Sequence, residues 1–360
     1  MQLDHYVTLG RSGLRVSPLS LGTMTFGEDW GWGSTVADSH AILEAYLERG
    51  GNFLDTANIY TKGHSEVIIG DHFEGRPAAR DRVVIATKFA GGMIPGDPNA
   101  GGTGRKAMIR QVEDSLRRLK TDHIDLLWAH FLDIHTPLEE TLEGMNDLVR
   151  AGKVRYLGLS DHPAWVCTRA QYEAKLRGLT PIVGLQIEYS LAERTVEGEL
   201  MPMAGAMGMG VTPWSPLKGG ILTGKYRRGQ DQPKEGRGAA WERTITDHMW
   251  TIIDALDAVA HETGATPAQV ALRWVIDRPG VTSTIIGART MDQLEANLGA
   301  LAVELTPEQT ARLDEASEIK QAFPHEFLKN VTTTVQNGST VNGIETDPWH
   351  MSPASDDERW

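Results

Sequence analysis

Val83-Val84-Ile85-Ala86-Thr87-Lys88 is followed by a glycine-rich stretch and then by the segment 108–119. Next comes Ile124-Asp125-Leu126-Leu127-Trp128-Ala129-His130. The two outer runs are short and apolar, as buried strands are. The segment between them spaces Ile109, Val112, Leu116 and Leu119 three and four residues apart, which predicts a helix with one apolar face. A strand, a helix and a second strand of this kind make a right-handed crossover between parallel neighbours. Working outward, further apolar runs lie at 19–22, 52–55, 154–160, 183–188, 210–215 and 281–287, which brings the total to eight. Helix-length segments separate most of them. Residues 39–49 set Ile42, Leu43, Tyr46 and Leu47 on one face. Residues 137–150 open with Thr136-Pro137 and Glu139-Glu140 and stop at Gly152. Eight alternating units favour an α/β fold closed as a (β/α)8 TIM barrel over an open sheet.

The remaining segments are additions to that barrel. Residues 6–16 read as an N-terminal β-hairpin. Residues 219–241 are rich in Gly, Lys and Arg and read as a long loop after strand 7, of the kind that covers a ligand. Helices are expected at 247–263 and 267–276. Residues 1–330 are expected to form one domain and 331–360 an irregular C-terminal tail, unless Trp349 and Trp360 pin it.

The chain has 360 residues, 35 Lys plus Arg, 48 Asp plus Glu and a net charge of −13, which argues against nucleic-acid or anionic-membrane partners. The single Cys167 excludes an internal disulfide and is expected to be a buried packing residue. The N-terminus lacks a signal-peptide pattern, and no apolar run is long enough to span a membrane, so the expected location is cytoplasmic. Nothing in the sequence indicates an oligomer.

Several motifs fail. The run Gly219-Gly220-Ile221-Leu222-Thr223-Gly224-Lys225 has Tyr226 where a P-loop needs Ser or Thr, and no G-x-G-x-x-G follows the first barrel strand. His261-Glu262 and His325-Glu326 lack a zincin's second His, so no metal is expected. There is no G-x-S-x-G elbow.

What the barrel does assemble is a proton-handling set. In such barrels chemistry sits at the C-terminal strand ends. Asp55, Lys88 and His130 end the second, third and fourth strands, and Tyr60 follows Asp55 by a short loop. Each alone is as readily structural: an Asp caps helices, a Lys stays solvated, a His packs. Together they form a mechanism. A phenol near its ordinary pKa of ~10 donates poorly, an adjacent ammonium favours the phenolate, and a buried ammonium needs a carboxylate. His130 is placed to bond a substrate oxygen. Such a set polarises a carbonyl and protonates the resulting alkoxide. The hydride must come from a redox cofactor, since no side chain provides one.

Asn52-Phe53-Leu54-Asp55-Thr56-Ala57-Asn58-Ile59-Tyr60, Thr87-Lys88 and His130 resemble the catalytic blocks of the aldo-keto reductases, NADPH-dependent (β/α)8 barrels. Gly158-Leu159-Ser160, Gln186-Ile187-Glu188-Tyr189-Ser190, Trp214-Ser215-Pro216-Leu217 and Ile286-Gly287-Ala288-Arg289 are further blocks in the family's order. The resemblance implies reduction of an aldehyde or ketone, with Tyr60, Lys88, Asp55 and His130 catalytic. It implies an NADP(H) site in which Gly22, Thr23, Met24 and Asp55 border the nicotinamide. Ser160, Asp161 and Gln186 would bind the carboxamide, and Trp214 would stack on the ring. Ser215, Pro216, Leu217, Gly219, Gly220 and Lys225 would wrap the pyrophosphate, while Gly287, Ala288 and Arg289 would hold the 2′-phosphate end. Gln293 and Asn297 would reach the adenine. Two positions depart from the family: it often has Asn where Asp161 stands and Glu where Ala296 stands. Trp30, Trp32, Phe89 and Phe131 are candidates for an aromatic substrate pocket. Two other readings remain open, a regulatory subunit that senses its cofactor and a dehydrogenase of a sugar or polyol.

Overall fold

The computed structural model describes residues 1–229, 245–329 and 331–360. Two short antiparallel strands, β1 (Val7–Thr8) and β2 (Arg15–Val16), pair first. Eight parallel strands follow: β3 (Leu19–Gly22), β4 (Phe53–Asp55), β5 (Val84–Phe89), β6 (Ile124–Ala129), β7 (Val154–Ser160), β8 (Ile182–Glu188), β9 (Gly210–Trp214) and β10 (Thr284–Gly287). They neighbour one another in chain order from β3 to β9, with β10 beside β3. Val211 completes the ring, since its N–H donates to the Gly280 carbonyl and its carbonyl accepts from Thr282. The expected (β/α)8 barrel is therefore present. The segment 281–287 begins its strand only at Thr284, because Val281 and Thr282 are engaged in this closure.

Alternation along each strand separates two cores. Phe53, Val84, Ala86, Leu126, Trp128 and Val183 face the barrel interior, where Leu9 and Val16 of the hairpin join them. Leu54, Ile85, Phe89, Leu127 and Ala129 face outward into the larger core beneath the helices. Trp128 is fully buried, and its indole lies where side chains on Gly158 and Gly184 would be. A Cβ on Gly158 would stand 2.2 Å from the Trp128 ring. The glycines of β7 and β8 thus make room for the largest residue of the interior.

The helices pack as their periodicity dictates, with one exception. Ile42, Leu43 and Tyr46 of the helix Val36–Glu48 are buried. In Arg105–Leu119 the buried stripe is Met108, Val112, Leu116 and Leu119, while Ile109 is 40 % exposed. The expected face was one residue out of phase at its start, because Met108 and Ile109 are both apolar and spacing alone does not choose between them. Cys167 is buried on Ala164–Arg177, and burial pushes its thiol up to about 12. The helices Asp247–Thr263 and Pro267–Ile276 stand as expected, each opened by a threonine cap. Part of the expected loop 219–241 is a short 3-10 turn, Lys218–Thr223, and its portion from 230 lies outside the described residues. No described helix is long and apolar enough to cross a membrane.

Residues Met1–Ser317 form one compact unit and Glu318–Trp360 a second. The second holds the short helices His325–Leu328 and Val331–Gln336, and Trp360 is fully exposed.

Candidate active site

Strand parity builds the centre of the site. Asp55 shares the inward face of β4 with Phe53, and Lys88 that of β5 with Val84 and Ala86. The two side chains meet: Lys88 Nζ donates to Asp55 Oδ2 at 2.5 Å, to the Thr56 carbonyl at 2.8 Å and to Tyr60 Oη at 3.1 Å. All three donors of a fully buried ammonium are therefore used. The other oxygen of Asp55 accepts from Gln186 Nε2 at 2.8 Å.

The Tyr60 turn is held open by unusual backbone. Thr61, Lys62 and Gly63 take left-handed conformations, and Thr61 Oγ1 donates to the Phe26 carbonyl at 2.7 Å. Behind the turn, Glu66 is completely buried. It accepts from Thr87 Oγ1 at 2.5 Å and from Arg118 Nε at 2.7 Å, tying the helix His64–Phe73 to β5 and to the helix Arg105–Leu119. Sequence reasoning passed over Glu66, whose partners lie 21 and 52 residues away.

The electrostatics refine the expected logic. Burial alone would depress the Lys88 ammonium, but Asp55 and Tyr60 outweigh it, so the group is held above its ordinary value and stays charged. Burial raises the Tyr60 phenol; Lys88 pulls it down, yet the net direction is upward. Tyr60 is thus a protonated donor at neutral pH, and the ammonium acts by easing proton departure. Burial, with Lys88 adding to it, depresses His130 to about 3, so its imidazole is neutral. Its Nδ1 is buried without a hydrogen-bond partner, and its ring stands edge-on to Tyr60 with centroids 6.0 Å apart.

Aromatic rings flank this centre. Trp30 meets Tyr60 edge-on at 6.5 Å and Trp32 lies 5.6 Å from Trp30. Phe131 stacks on His130 at 4.6 Å and is 40 % exposed. The Trp30 loop is tied down by Asp29, whose carboxylate meets His64 Nδ1 at 2.7 Å. Phe89 does not join them. It follows Lys88 on β5, so it points outward and is buried in the core beneath the helices, which removes it from any substrate space.

The other expected residues line the rim. Gly22 pairs with Asp55 and with Gly287, and Thr23 Oγ1 donates to the Asp55 carbonyl at 3.1 Å. Met24 is half-buried beside them. Ser160 pairs with Gln186 at the ends of β7 and β8. Asp161 Oδ1 accepts from Trp214 Nε1 at 3.0 Å, which fixes the half-exposed indole plane. Ser215, Lys218, Gly219 and Gly220 are all left-handed, curling the backbone after Trp214. Ser215 Oγ accepts the Gly219 N–H at 3.1 Å, and Leu217 accepts the Gly220 N–H at 2.9 Å. Pro216 is buried in this turn, and Lys225 is exposed beyond it. Arg289 is exposed just before the helix Met291–Leu298, with Ala288 buried beside it. Gln293 Oε1 accepts the Arg289 N–H at 2.9 Å, while Asn297 is buried and donates to the Gly287 carbonyl at 3.1 Å. Both amides therefore shape the Arg289 loop.

A pinned aromatic plane beside the Tyr60 centre, a glycine-bearing backbone curl and an exposed Arg before a helix N-terminus suit a dinucleotide. The aldo/keto reductase family model matches residues 18–318, the span that carries all of these residues. The chain belongs to the aldo/keto reductase family. Among its relatives is norsolorinic acid reductase B of Aspergillus parasiticus, 38% identical over 327 residues, covering 88% of this chain and 84% of that one. The aryl-alcohol dehydrogenase [NADP(+)] of Phanerodontia chrysosporium is 36% identical over 336 residues, with 87% and 86% covered. An uncharacterized oxidoreductase of Bacillus subtilis, YrpG, is 38% identical over 312 residues, with 84% and 93% covered. This aldo/keto reductase is accordingly an enzyme, an oxidoreductase acting between alcohols and carbonyls.

Proposed function

We propose that the protein reduces aromatic aldehydes or ketones to alcohols with NADPH, Tyr60 serving as general acid. The observation that carries this reading is the 3.1 Å contact from Tyr60 Oη to a buried ammonium that Asp55 and the Thr56 carbonyl hold in place. NADPH, when bound, supplies the hydride. Tyr60 donates a hydrogen bond to the carbonyl oxygen and then its proton to the alkoxide. Lys88 stabilises the phenolate left behind, and Asp55 keeps Lys88 charged. His130, neutral, donates a ring N–H to the same oxygen and so orients it.

Trp214 offers a face for the nicotinamide, and Ser160, Asp161 and Gln186 offer polar edges. Asp55 reaches that edge through Gln186. Gly22, Thr23 and Met24 close the near side, and the curl from Ser215 to Gly220, with Lys225 beyond it, takes the pyrophosphate. Gly287, Ala288 and Arg289 take the 2′-phosphate, Arg289 by charge-assisted pairing, and Gln293 and Asn297 hold that loop in shape. The aromatic preference rests on Trp30, Trp32 and Phe131 around Tyr60, and on relatives whose names include an aryl-alcohol dehydrogenase.

The test is NADPH oxidation against aromatic aldehydes, aliphatic aldehydes and sugars. Aromatic aldehydes are expected to give the highest kcat/KM. In Tyr60→Phe, kcat should fall by roughly 10²–10⁴-fold, the usual contribution of a positioned acid, with NADPH affinity retained. Wild-type turnover in that variant would refute the role of Tyr60.

A further inference from the structure

Asp161 is a carboxylate at the rim of the same mouth, bonded to the Trp214 indole. Its Oδ1 accepts from Trp214 Nε1 at 3.0 Å, its Oδ2 accepts from Ser160 Oγ at 3.2 Å, and its N–H donates to the Gln186 carbonyl at 3.1 Å. An indole N–H only donates, so a donor on each oxygen suits the anion. The backbone is left-handed at φ 53, a conformation Asp tolerates better than most residues. The side chain is solvent-accessible yet hemmed in by protein, and its field reaches both Tyr60 and Lys88. Burial moves its pKa upward on balance, opposed by the bonds from Trp214 and Ser160 and the charge of Lys88, which favour the anion.

We propose that the Asp161 carboxylate biases the site toward the oxidised form of the nicotinamide cofactor. The inference rests on the cofactor reading above. Asp161 anchors the edge of the indole plane on which the nicotinamide would lie, so its charge would stand beside that ring. The oxidised ring carries a positive charge and the reduced ring none, so a nearby carboxylate stabilises one and not the other. In the overall step a hydride passes from the reduced cofactor to the carbonyl carbon and the Tyr60 proton to its oxygen. The carbonyl is reduced and the cofactor is oxidised, and the positive charge it gains would be offset by the Asp161 carboxylate. The carboxylate thereby favours carbonyl reduction on the enzyme and slows release of the oxidised cofactor. An amide at this position would keep the acceptor for Trp214 and lose the charge.

Calorimetric titration of the full chain with NADP+ and with NADPH tests this in Asp161→Asn, Asp161→Ala, Asp161→Glu and Trp214→Phe. The two neutral variants, of which either suffices if the other fails to fold, should raise the ratio of Kd for NADP+ to Kd for NADPH by about tenfold, or about 1.4 kcal/mol. Asp161→Glu, which keeps the charge, should restore most of the wild-type ratio. Trp214→Phe should weaken both forms alike. An unchanged ratio in folded neutral variants that bind both forms overturns the proposal and leaves the reductase reading intact. Wild-type protein that binds neither form overturns both.

Discussion

Lys88 has three N–H bonds to give and gives them to a carboxylate, a carbonyl and a phenol. That saturation makes the residue a fixed charge rather than a proton carrier, so Lys88→Met should cut kcat as severely as loss of Tyr60 and leave NADPH affinity within a few-fold, by calorimetry. Arg289 has a different task. Arg289→Leu should weaken NADPH binding by roughly 10–100-fold, the range of a lost charge-assisted bond, and leave NADH unchanged. The meeting of Asp55, Lys88, Tyr60 and His130 was legible in the sequence, because each stands at or just after a strand end and strand parity sends Asp55 and Lys88 inward. Parity also explains Phe89, whose ring belongs to the opposite face. The bond from Asp161 to Trp214 was not legible, since it joins residues 53 apart whose side chains meet only after the barrel closes.

At the scale of elements, the Tyr60 turn depends on the helix that follows it. Glu66 links that helix to Thr87 and Arg118, and Glu66→Ala would leave the Arg118 charge without its carboxylate. A loss of about 3 kcal/mol is expected, read as a lower urea midpoint. The pairing of β7 and β8 around Trp128 is as strict. Gly158→Ala would place a methyl against the indole and should cost about 1–3 kcal/mol as the ring is displaced. Neither effect was evident from periodicity, which reports that a face is buried and not what it is buried against. The phase error at Ile109 has the same origin.

At the scale of the molecule, eight apolar runs sufficed to foresee the barrel because each is bounded by polar or glycine-rich residues. Closure itself was expected from the eight units, but not its route: Val211, inside its strand, bridges to Val281, ahead of the strand Thr284–Gly287. The folded protein holds His72, His130 and His162 neutral, each depressed chiefly by burial. The unfolded chain binds protons at these residues below their ordinary value near ~6.5, so their contribution to stability is complete above that pH and is lost as pH falls toward the folded values. The urea midpoint should therefore drop between pH 7.5 and pH 5, with His130 alone accounting for about 1–2 kcal/mol and His130→Gln flattening the trend.

The packing of Trp128 across the interior, with Leu9 and Val16 beyond it, has a kinetic meaning. Among the described residues, these side chains close the barrel interior like the floor of a vessel. Whatever reaches Tyr60 departs by the path it took in, so turnover is a queue: the partner seated deeper arrives first and leaves last. Steady-state product inhibition should accordingly follow an ordered pattern.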